Sequence, residues 1–193
     1  MRSAELSRAT AETNVEVSLD VDGSGQAQIN TGLGFFDHMV STLARHSSID
    51  LVLGATGDLG VDDHHTVEDC AIVLGRALDE ALGDRRGVAR FGHAYAPLDE
   101  SLARSVIDLS GRPWAEIDLG LRREMIGEVS TENLTHFLRS LAIEARMTLH
   151  VDVLRGDNDH HRAEAAFKAI ALALRQAVAV HGIDVPSTKG VLG

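Results

Sequence analysis

The chain has 193 residues, of which 44% are hydrophobic, so it is large enough for one compact domain or two small fused ones. No long apolar run is present and the N-terminus lacks the apolar core of a secretory signal, which excludes a membrane span and predicts a cytoplasmic protein. A net charge of −11 and 4% aromatic residues argue against nucleic acid as the main partner, and a single cysteine excludes an intrachain disulfide.

The first half of the chain predicts strands followed by a helix, a strand and a second helix. Apolar and polar residues alternate along residues 12–21, as in a half-buried strand, and Asp22-Gly23-Ser24-Gly25 is typical of a turn into a returning strand. Asp63 stands where the N-cap residue of the second helix belongs. The other predicted elements are a strand at 26–30, a helix at 35–45, a strand at 49–53 and a helix at 64–82.

The second half repeats this order, with Asp159 as the predicted N-cap of its last helix and His181 at the C-terminal end. The pattern predicts an α+β protein of two pseudo-repeated strand-strand-helix-strand-helix halves, residues 1–84 and 85–193. Neither half buries much core alone, so we expect them to pack as one domain with helices covering the sheets. The predicted elements are strands near 91–98, 102–109 and 113–119, a helix near 131–145, a strand at 147–154 and a helix at 160–180.

The most specific feature is a histidine doublet followed by a glutamate, which occurs twice and each time begins a predicted helix. A single histidine precedes each doublet at nearly equal spacing. Such a repeated set of potential ligands indicates an internally duplicated metal centre. The residues are His38 with His64, His65 and Glu68 in the first half, and His136 with His160, His161 and Glu164 in the second.

Helix geometry predicts how such doublets divide their ligands. Neighbouring side chains on a helix diverge by about 100°, so two adjacent histidines do not easily chelate one ion, whereas the glutamate returns to the face of one of them. Each doublet then offers a His/Glu pair to one ion and a spare imidazole to another. With the upstream histidines, each of two ions gains three imidazoles and one carboxylate. Such nitrogen and oxygen ligands favour Mn, Fe or a related six-coordinate ion over structural zinc.

Other polar residues are candidates for binding a substrate. His46 lies two helical turns beyond His38 and is placed to face the same site. Guanidinium groups and a Ser-Thr-Lys cluster are suited to a phosphate monoester. Whether these groups converge or are separate surface charges stays open at this point. The candidate phosphate-binding residues are Arg90, Arg112, Lys168, Ser187, Thr188 and Lys189.

These segments together resemble the imidazoleglycerol-phosphate dehydratase family of histidine biosynthesis, over nearly the full length of the chain. The doubled His-His-x-x-Glu arrangement is the most specific part of the resemblance. The segments that carry it are Ala11-Glu12-Thr13, Gly34-Phe35-Phe36-Asp37-His38-Met39, Asp63-His64-His65-Thr66-Val67-Glu68-Asp69, Arg90-Phe91-Gly92, Ser110-Gly111-Arg112-Pro113, Asp159-His160-His161-Arg162-Ala163-Glu164-Ala165-Ala166-Phe167-Lys168 and Ser187-Thr188-Lys189-Gly190.

The resemblance implies a metal-dependent hydro-lyase that converts D-erythro-imidazole-glycerol phosphate to imidazole-acetol phosphate and water. It implies two Mn²⁺ ions per active site and a homo-oligomer, a 24-subunit shell with sites shared between chains. Glu12, His46 and Lys168 would lie near the substrate, and the arginines with Ser187, Thr188 and Lys189 around its phosphate. The implied ligands are His38, His65, Glu68 and His160 for one ion, and His64, His136, His161 and Glu164 for the other.

The substrate suggests a mechanism. The proton to be removed is not acidic, so its direct abstraction would be difficult. A ring held as imidazolate between two cations can expel hydroxide to give a diazafulvene-like intermediate, whose neighbouring proton a carboxylate base can take. Glu12 is the candidate acid–base residue.

Two other functions compete with this interpretation. A dinuclear metallohydrolase acting on a phosphoester would hold its ions about 3.5–4 Å apart around an activated water. A metal-organised shell without catalysis would use the histidines for assembly or storage, but it would not need the phosphate-type residues.

Overall fold

Two four-stranded sheets enclose two layers of helices in the computed structural model, which describes residues 2–192. Strands β1 and β2 are antiparallel neighbours, β2 and β4 are antiparallel, and β4 and β3 are parallel. The elements of this first half are β1 (Ser3–Ala9), β2 (Thr13–Asp20), β3 (Ala27–Asn30), α1 (Gly34–Ser47), β4 (Asp50–Gly57) and α2 (His64–Leu82).

The second half repeats the order and pairing of the four sheet strands and two helices of the first, and adds the short pair β8–β9. Its sheet has the order β5-β6-β10-β7, again with two antiparallel pairs and one parallel pair at the β7 edge. The first helices of the two halves are 14 residues long and the second helices 19. The elements are β5 (Phe91–Leu98), β6 (Ser101–Asp108), β7 (Trp114–Asp118), β8 (Met125–Ile126), β9 (Val129–Ser130), α3 (Thr131–Glu144), β10 (Thr148–Arg155) and α4 (Asp159–Ala177).

This arrangement confirms the predicted α+β fold of two pseudo-repeated halves. Each four-stranded sheet has one more strand than the strand-strand-helix-strand-helix pattern, and the second half also has the short β8–β9 pair. The first-half strand that the sequence analysis missed is β1, an edge strand in which only Ala4 is buried. Its serines, arginine and glutamate are weak strand formers, so pairing with β2 rather than local preference determines its conformation. The division of the chain between residues 84 and 85 stays a prediction.

The second, 19-residue helix of each half lies on the sheet of its own half and packs against the first helix of the other half. Helix α2 packs on β1 and β2 and against α3, while α4 packs on β5 and β6 and against α1. Three fully buried phenylalanines join α1, α3 and α4, with Phe36 edge-on to Phe137 at 5.0 Å and Phe137 stacked on Phe167 at 6.0 Å. The two halves therefore share one core.

Helix α4 ends earlier than the sequence predicts. It was expected to reach residue 180 and close at His181, but it ends at Ala177. The backbone N–H of Arg90 donates to the carbonyl of Ala177 at 2.9 Å, and that of Ala89 to the carbonyl of Ala179 at 2.7 Å. The chain before β5 thus satisfies these carbonyls, and the prediction that His181 closes the helix is wrong. Within residues 2–192, no helix has the length and apolarity needed to cross a membrane.

Candidate metal centre

The first group of potential ligands contains His64, Glu68 and His136. Helix α2 places His64 and Glu68 one turn apart, with 4.0 Å between Nε2 and Oε2. Helix α3 brings His136, whose Nε2 lies 2.9 Å from Oε1 of Glu68, and its ring stacks on that of His64 at 5.0 Å. The Nδ1 of His64 faces the side-chain oxygen of buried Asn133 at 3.1 Å. The Nε2 of His64 is therefore directed to the group.

The second group contains His38, His160 and Glu164 and mirrors the first. The Nε2 atoms of His38 and His160 each lie 3.2 Å from Oε2 of Glu164, and Lys168 donates to Oε1 at 2.7 Å. Burial alone would raise the pKa of Glu164, but the hydrogen bonds from Lys168 and His38 outweigh it and lower the pKa to about 2. A carboxylate held charged among nitrogen donors is a suitable ligand for a divalent cation.

Each group draws on both halves of the chain. The His/Glu pair comes from the doublet helix of one half, and the single histidine comes from the first helix of the other half. The ligand atoms within each group lie within 4.8 Å of one another. Two imidazoles and a carboxylate at this spacing form a nitrogen and oxygen donor set that fits one divalent ion, with room for further ligands.

The glutamates are divided between the groups differently from what the resemblance implied. Glu68 was expected beside His65 and His38, and Glu164 beside His161 and His136, but each lies with the first histidine of its own doublet. The reason is helical geometry. Each glutamate is four positions after the first histidine of its doublet and is rotated from it by about 40° around the helix axis, whereas it is three positions after the second histidine and rotated by about 60°. Within one chain the geometry therefore favours a different allocation of the two glutamates from the expected one.

The second histidines of the doublets lie outside both groups among the described residues. The Nδ1 of His65 lies 3.0 Å from Oδ2 of Asp58, and the Nδ1 of His161 lies 2.8 Å from Oε2 of Glu100. These hydrogen bonds raise the pKa of both histidines. The backbone N–H of Asn158 and the ring of His161 hold the pKa of Glu100 well below its usual range.

The aspartates before the doublets connect segments that are distant in sequence and do not cap the helices. Asp63 is at the N-cap position of α2, but its carboxylate accepts from the backbone N–H and the hydroxyl of Ser130, both at 2.8 Å. Asp159 lies inside α4, so the prediction that it is the N-cap is wrong. Asn158 is the cap and accepts from the backbone N–H of His160 at 2.9 Å, while Asp159 accepts from two backbone N–H groups of the β7–β8 segment.

Two of the predicted substrate residues, Lys168 and His46, lie beside the second metal group, and Glu12 lies beside His65. Glu12 is exposed, with Oε2 3.8 Å from Nδ1 of His65. Lys168 binds Glu164, and His46 is close enough to both for their charges to affect it. Burial first, and then the positive charge of Lys168, lower the pKa of His46.

The predicted phosphate-binding residues are only partly brought together. Arg90 binds Asp108 with two bonds of 2.7 and 3.1 Å and donates to the carbonyl of Pro186 at 2.9 Å, which places it beside Ser187. The backbone N–H of Lys189 donates to the hydroxyl of Ser187 at 3.2 Å, and Thr188 between them is exposed. Arg112 is exposed on the β6–β7 turn, and in the described residues no side-chain hydrogen bond or ion pair joins it to this segment.

Sequence reasoning missed Asp58, Glu100 and Asn133, which contact histidines of the doublets. Asp58 follows β4, Glu100 precedes β6, and Asn133 lies one turn before His136 in α3. Only Asn133 had a local signal, its position three residues from a predicted ligand on the same helix. The two carboxylates reach their histidines through tertiary structure, and no spacing in the sequence indicates them.

Comparison with known proteins establishes the family. A family model described as imidazoleglycerol-phosphate dehydratase matches residues 31–174. The chain belongs to this family. The dehydratase of Candida glabrata is 54% identical over 98% of this chain and 99% of its own length, and that of Methanothermobacter thermautotrophicus is 54% identical over 100% and 98%. The dehydratase of Phytophthora nicotianae is 57% identical over the whole chain, which spans 43% of that relative.

Solved structures of the family have the same fold. The crystal structure of imidazoleglycerol-phosphate dehydratase from Staphylococcus aureus superposes with a TM-score of 0.84 at 39% identity, covering 92% of this chain and 99% of that one. The structure of the Pyrococcus furiosus enzyme in complex with (S)-C348 gives 0.83 at 36% identity, covering 97% and 100%. The family resemblance predicted from the motifs is thus confirmed.

Proposed function

We propose that this chain catalyses the dehydration of D-erythro-imidazole-glycerol phosphate to imidazole-acetol phosphate and water in histidine biosynthesis. The observation that carries the proposal is the pair of His/His/Glu groups, each assembled from both halves of a chain that belongs to the dehydratase family. An imidazole substrate has two ring nitrogens, and two equivalent cation sites are suited to hold one nitrogen each. The predicted cytoplasmic location is kept as a prediction.

The proposed metal centre uses two divalent ions per active site, Mn²⁺ being the expected metal. One would be held by His38, His160 and Glu164, and the other by His64, Glu68 and His136. A fourth ligand for each would come from a neighbouring copy of the chain, because the second histidines of the doublets face away from these groups. In this arrangement His65 of a neighbouring copy would complete the ligand set of the first ion, and His161 of a neighbouring copy that of the second. Such sharing requires a homo-oligomer, for example the expected 24-subunit shell.

The residues of the chain would act on a substrate ring between these sites. The ions that these residues would hold would supply positive charge that stabilises an electron-rich ring and so favours loss of the hydroxyl group on the attached carbon. Glu12 would then take the proton from the next carbon, because it is an exposed carboxylate beside His65. Lys168 and His46 would orient the glycerol chain.

The phosphate of the substrate would be bound at the C-terminal segment. Arg90 already contacts this segment through the carbonyl of Pro186, and the neighbouring Ser187, Thr188 and Lys189 offer hydroxyl and ammonium donors. Arg112 would join from its turn as an exposed guanidinium. These residues account for a phosphorylated substrate, which a storage shell would not need.

The rival metallohydrolase is less well supported. The two ligand groups share no residue, so neither holds a carboxylate common to two ions about 3.5–4 Å apart. An assay that supplies a phosphoester in parallel with imidazoleglycerol phosphate separates the two functions, because only the dehydratase forms an enol that becomes imidazole-acetol phosphate.

The experiment compares purified protein with Mn²⁺ added and with Mn²⁺ removed by a chelator. We expect imidazole-acetol phosphate only with the metal. Glu12→Gln should lower turnover by about 10²–10⁴-fold while leaving metal content unchanged, because general acid–base catalysis contributes about that much. Glu16→Gln, an exposed substitution on β2, is the matched control and should behave as wild type. Metal-loaded protein without product contradicts the proposed function, and near-normal turnover of Glu12→Gln removes that residue from its role.

A further inference from the structure

The second histidine of each doublet is held by one carboxylate at one ring nitrogen. The Nδ1 of His65 lies 3.0 Å from Asp58 and the Nδ1 of His161 lies 2.8 Å from Glu100. A neutral imidazole carries its proton on one nitrogen and a lone pair on the other. If Nδ1–H donates to the carboxylate, the lone pair is on Nε2, which is then the nitrogen that can bind a metal. In His161 this Nε2 lies 4.0 Å from Oδ2 of Asp99, beyond hydrogen-bond distance.

The carboxylate of Glu100 and the backbone that carries Asp58 are themselves held by hydrogen bonds. Oε1 of Glu100 accepts from the N–H groups of Asp157 and Asn158 at 3.1 and 2.9 Å, which leaves Oε2 for His161. The carbonyl of Asp58 accepts from the N–H of Val61 at 2.7 Å, closing the turn after β4. Both carboxylates therefore orient a histidine from a backbone that is itself held in place.

We propose that Asp58 and Glu100 are positioning residues that keep His65 and His161 with Nε2 available to ions bound by a neighbouring copy of the chain. The inference rests on the proposed metal centre. Carboxylates that hold metal-binding histidines fix both the proton position and the ring orientation, and they strengthen the nitrogen as a ligand.

The duplication shows a division of roles between the halves. Glu100 directly precedes β6, and the residue that directly precedes the equivalent strand β2 is Glu12. In the second half this glutamate binds the spare histidine at 2.8 Å, whereas in the first half Glu12 lies 3.8 Å from His65 and Asp58 takes the closer position. Because Asp58 holds the ring, Glu12 is released from the positioning role and is available for proton transfer.

The test measures Mn²⁺ binding in the intact oligomer by equilibrium dialysis, separately from activity. We expect Asp58→Asn to lower the affinity for one of the two Mn²⁺ ions per chain by about 10–100-fold, and Glu100→Gln to lower the affinity for the other ion to a similar extent. Excess Mn²⁺ should restore turnover in both variants, whereas it should not restore Glu12→Gln. Asp157→Asn, whose side chain makes no hydrogen bond among residues 2–192, is the matched control and should bind both ions normally.

A double-mutant cycle distinguishes positioning from a general loss of structure. His65→Ala should lower the affinity for the same Mn²⁺ ion as Asp58→Asn does. The double variant should bind that ion no more weakly than His65→Ala alone, because Asp58 acts through the His65 ring. Additive losses in the double variant overturn the proposal, as does wild-type affinity for both ions in Asp58→Asn and Glu100→Gln. Wild-type protein that binds two Mn²⁺ but forms no product would contradict the proposed function while leaving this test intact.

Discussion

The link between Asp63 and Ser130 is expected to hold the two helices of the first metal group in register. Asp63 is 5% exposed and precedes α2, which carries His64, and Ser130 precedes α3, which carries His136. The carboxylate accepts two hydrogen bonds of 2.8 Å from Ser130, one from the backbone N–H and one from the hydroxyl. We predict that Asp63→Ala both destabilises the protein and lowers the Mn²⁺ affinity of this group.

The magnitude follows from the lost hydrogen bonds. A hydrogen bond to a charged group contributes about 1.5–3 kcal/mol, and removing its partner leaves a buried donor unsatisfied. Two such bonds set an upper limit of about 6 kcal/mol, but the Ser130 hydroxyl can rotate toward water. We therefore expect Asp63→Ala to lower the free energy of unfolding by about 2–4 kcal/mol. Ser130→Ala removes only the hydroxyl bond and should cost about 1–2 kcal/mol.

The assay is urea unfolding of metal-free protein at fixed protein concentration, followed by Mn²⁺ titration of the folded variants. Asp63→Asn retains an acceptor oxygen and should fall between Asp63→Ala and wild type. Because His136 shifts relative to Glu68, Asp63→Ala should lose one ion per chain at limiting Mn²⁺ and retain the other. A change in stability below about 0.5 kcal/mol, typical of a surface substitution, would refute the reasoning. Equal weakening of both ions would also refute it.

Two further predictions concern Glu164 and Gly92. Because the pKa of Glu164 is lowered to about 2 in the folded protein, its stabilising effect is present above its ordinary pKa of 4.5 and is lost as the pH falls from there toward 2. Metal-free wild type should therefore exceed Glu164→Gln in urea midpoint at pH 6, with the gap narrowing below pH 4.5, and a gap that widens in acid would contradict this. A Cβ at Gly92 would lie 1.9 Å from the carbonyl oxygen of Ala173, so Gly92→Ala should displace β5 from α4 and cost about 1–3 kcal/mol. Gly60→Ala, whose Cβ meets nothing within 4 Å, is its control, and equal melting temperatures of the two variants would rule out this clash.

Local periodicity predicted the helices and most strands of this fold because these elements bury one face against a shared core. The doublets were recognisable for the same reason, since a helix determines which neighbours share a face. Edge strand β1 was missed because its pairing with β2, and not its composition, forms it. Asp63 occupies its predicted N-cap position but makes no side-chain cap hydrogen bond, and the predicted cap at Asp159 is wrong. Both carboxylates instead bind backbone groups more than 30 residues away in sequence.

The division of ligands was the part of the site that sequence alone did not predict. Spacing identified which residues lie on one helical face, but His64 and His65 are both within reach of a glutamate by that criterion. The structure separates them through partners from other elements. Asn133 orients His64 into the group of its own chain, whereas Asp58 orients His65 away from it. Two adjacent imidazoles thus receive different roles from residues that bind their Nδ1 atoms, and a sequence pattern contains no record of those contacts.

The proposed positioning role would also explain how a duplicated chain can use Glu12 alone as its acid–base residue. If both halves had retained the same contacts, Glu12 and Glu100 would each hold a histidine and neither would be available to the substrate. A closer carboxylate in one half, Asp58, removes that constraint from Glu12 alone. Glu100 remains engaged by two backbone N–H groups and His161, which lower its pKa. On this proposal, chemical asymmetry arises from the position of one aspartate within an otherwise repeated framework.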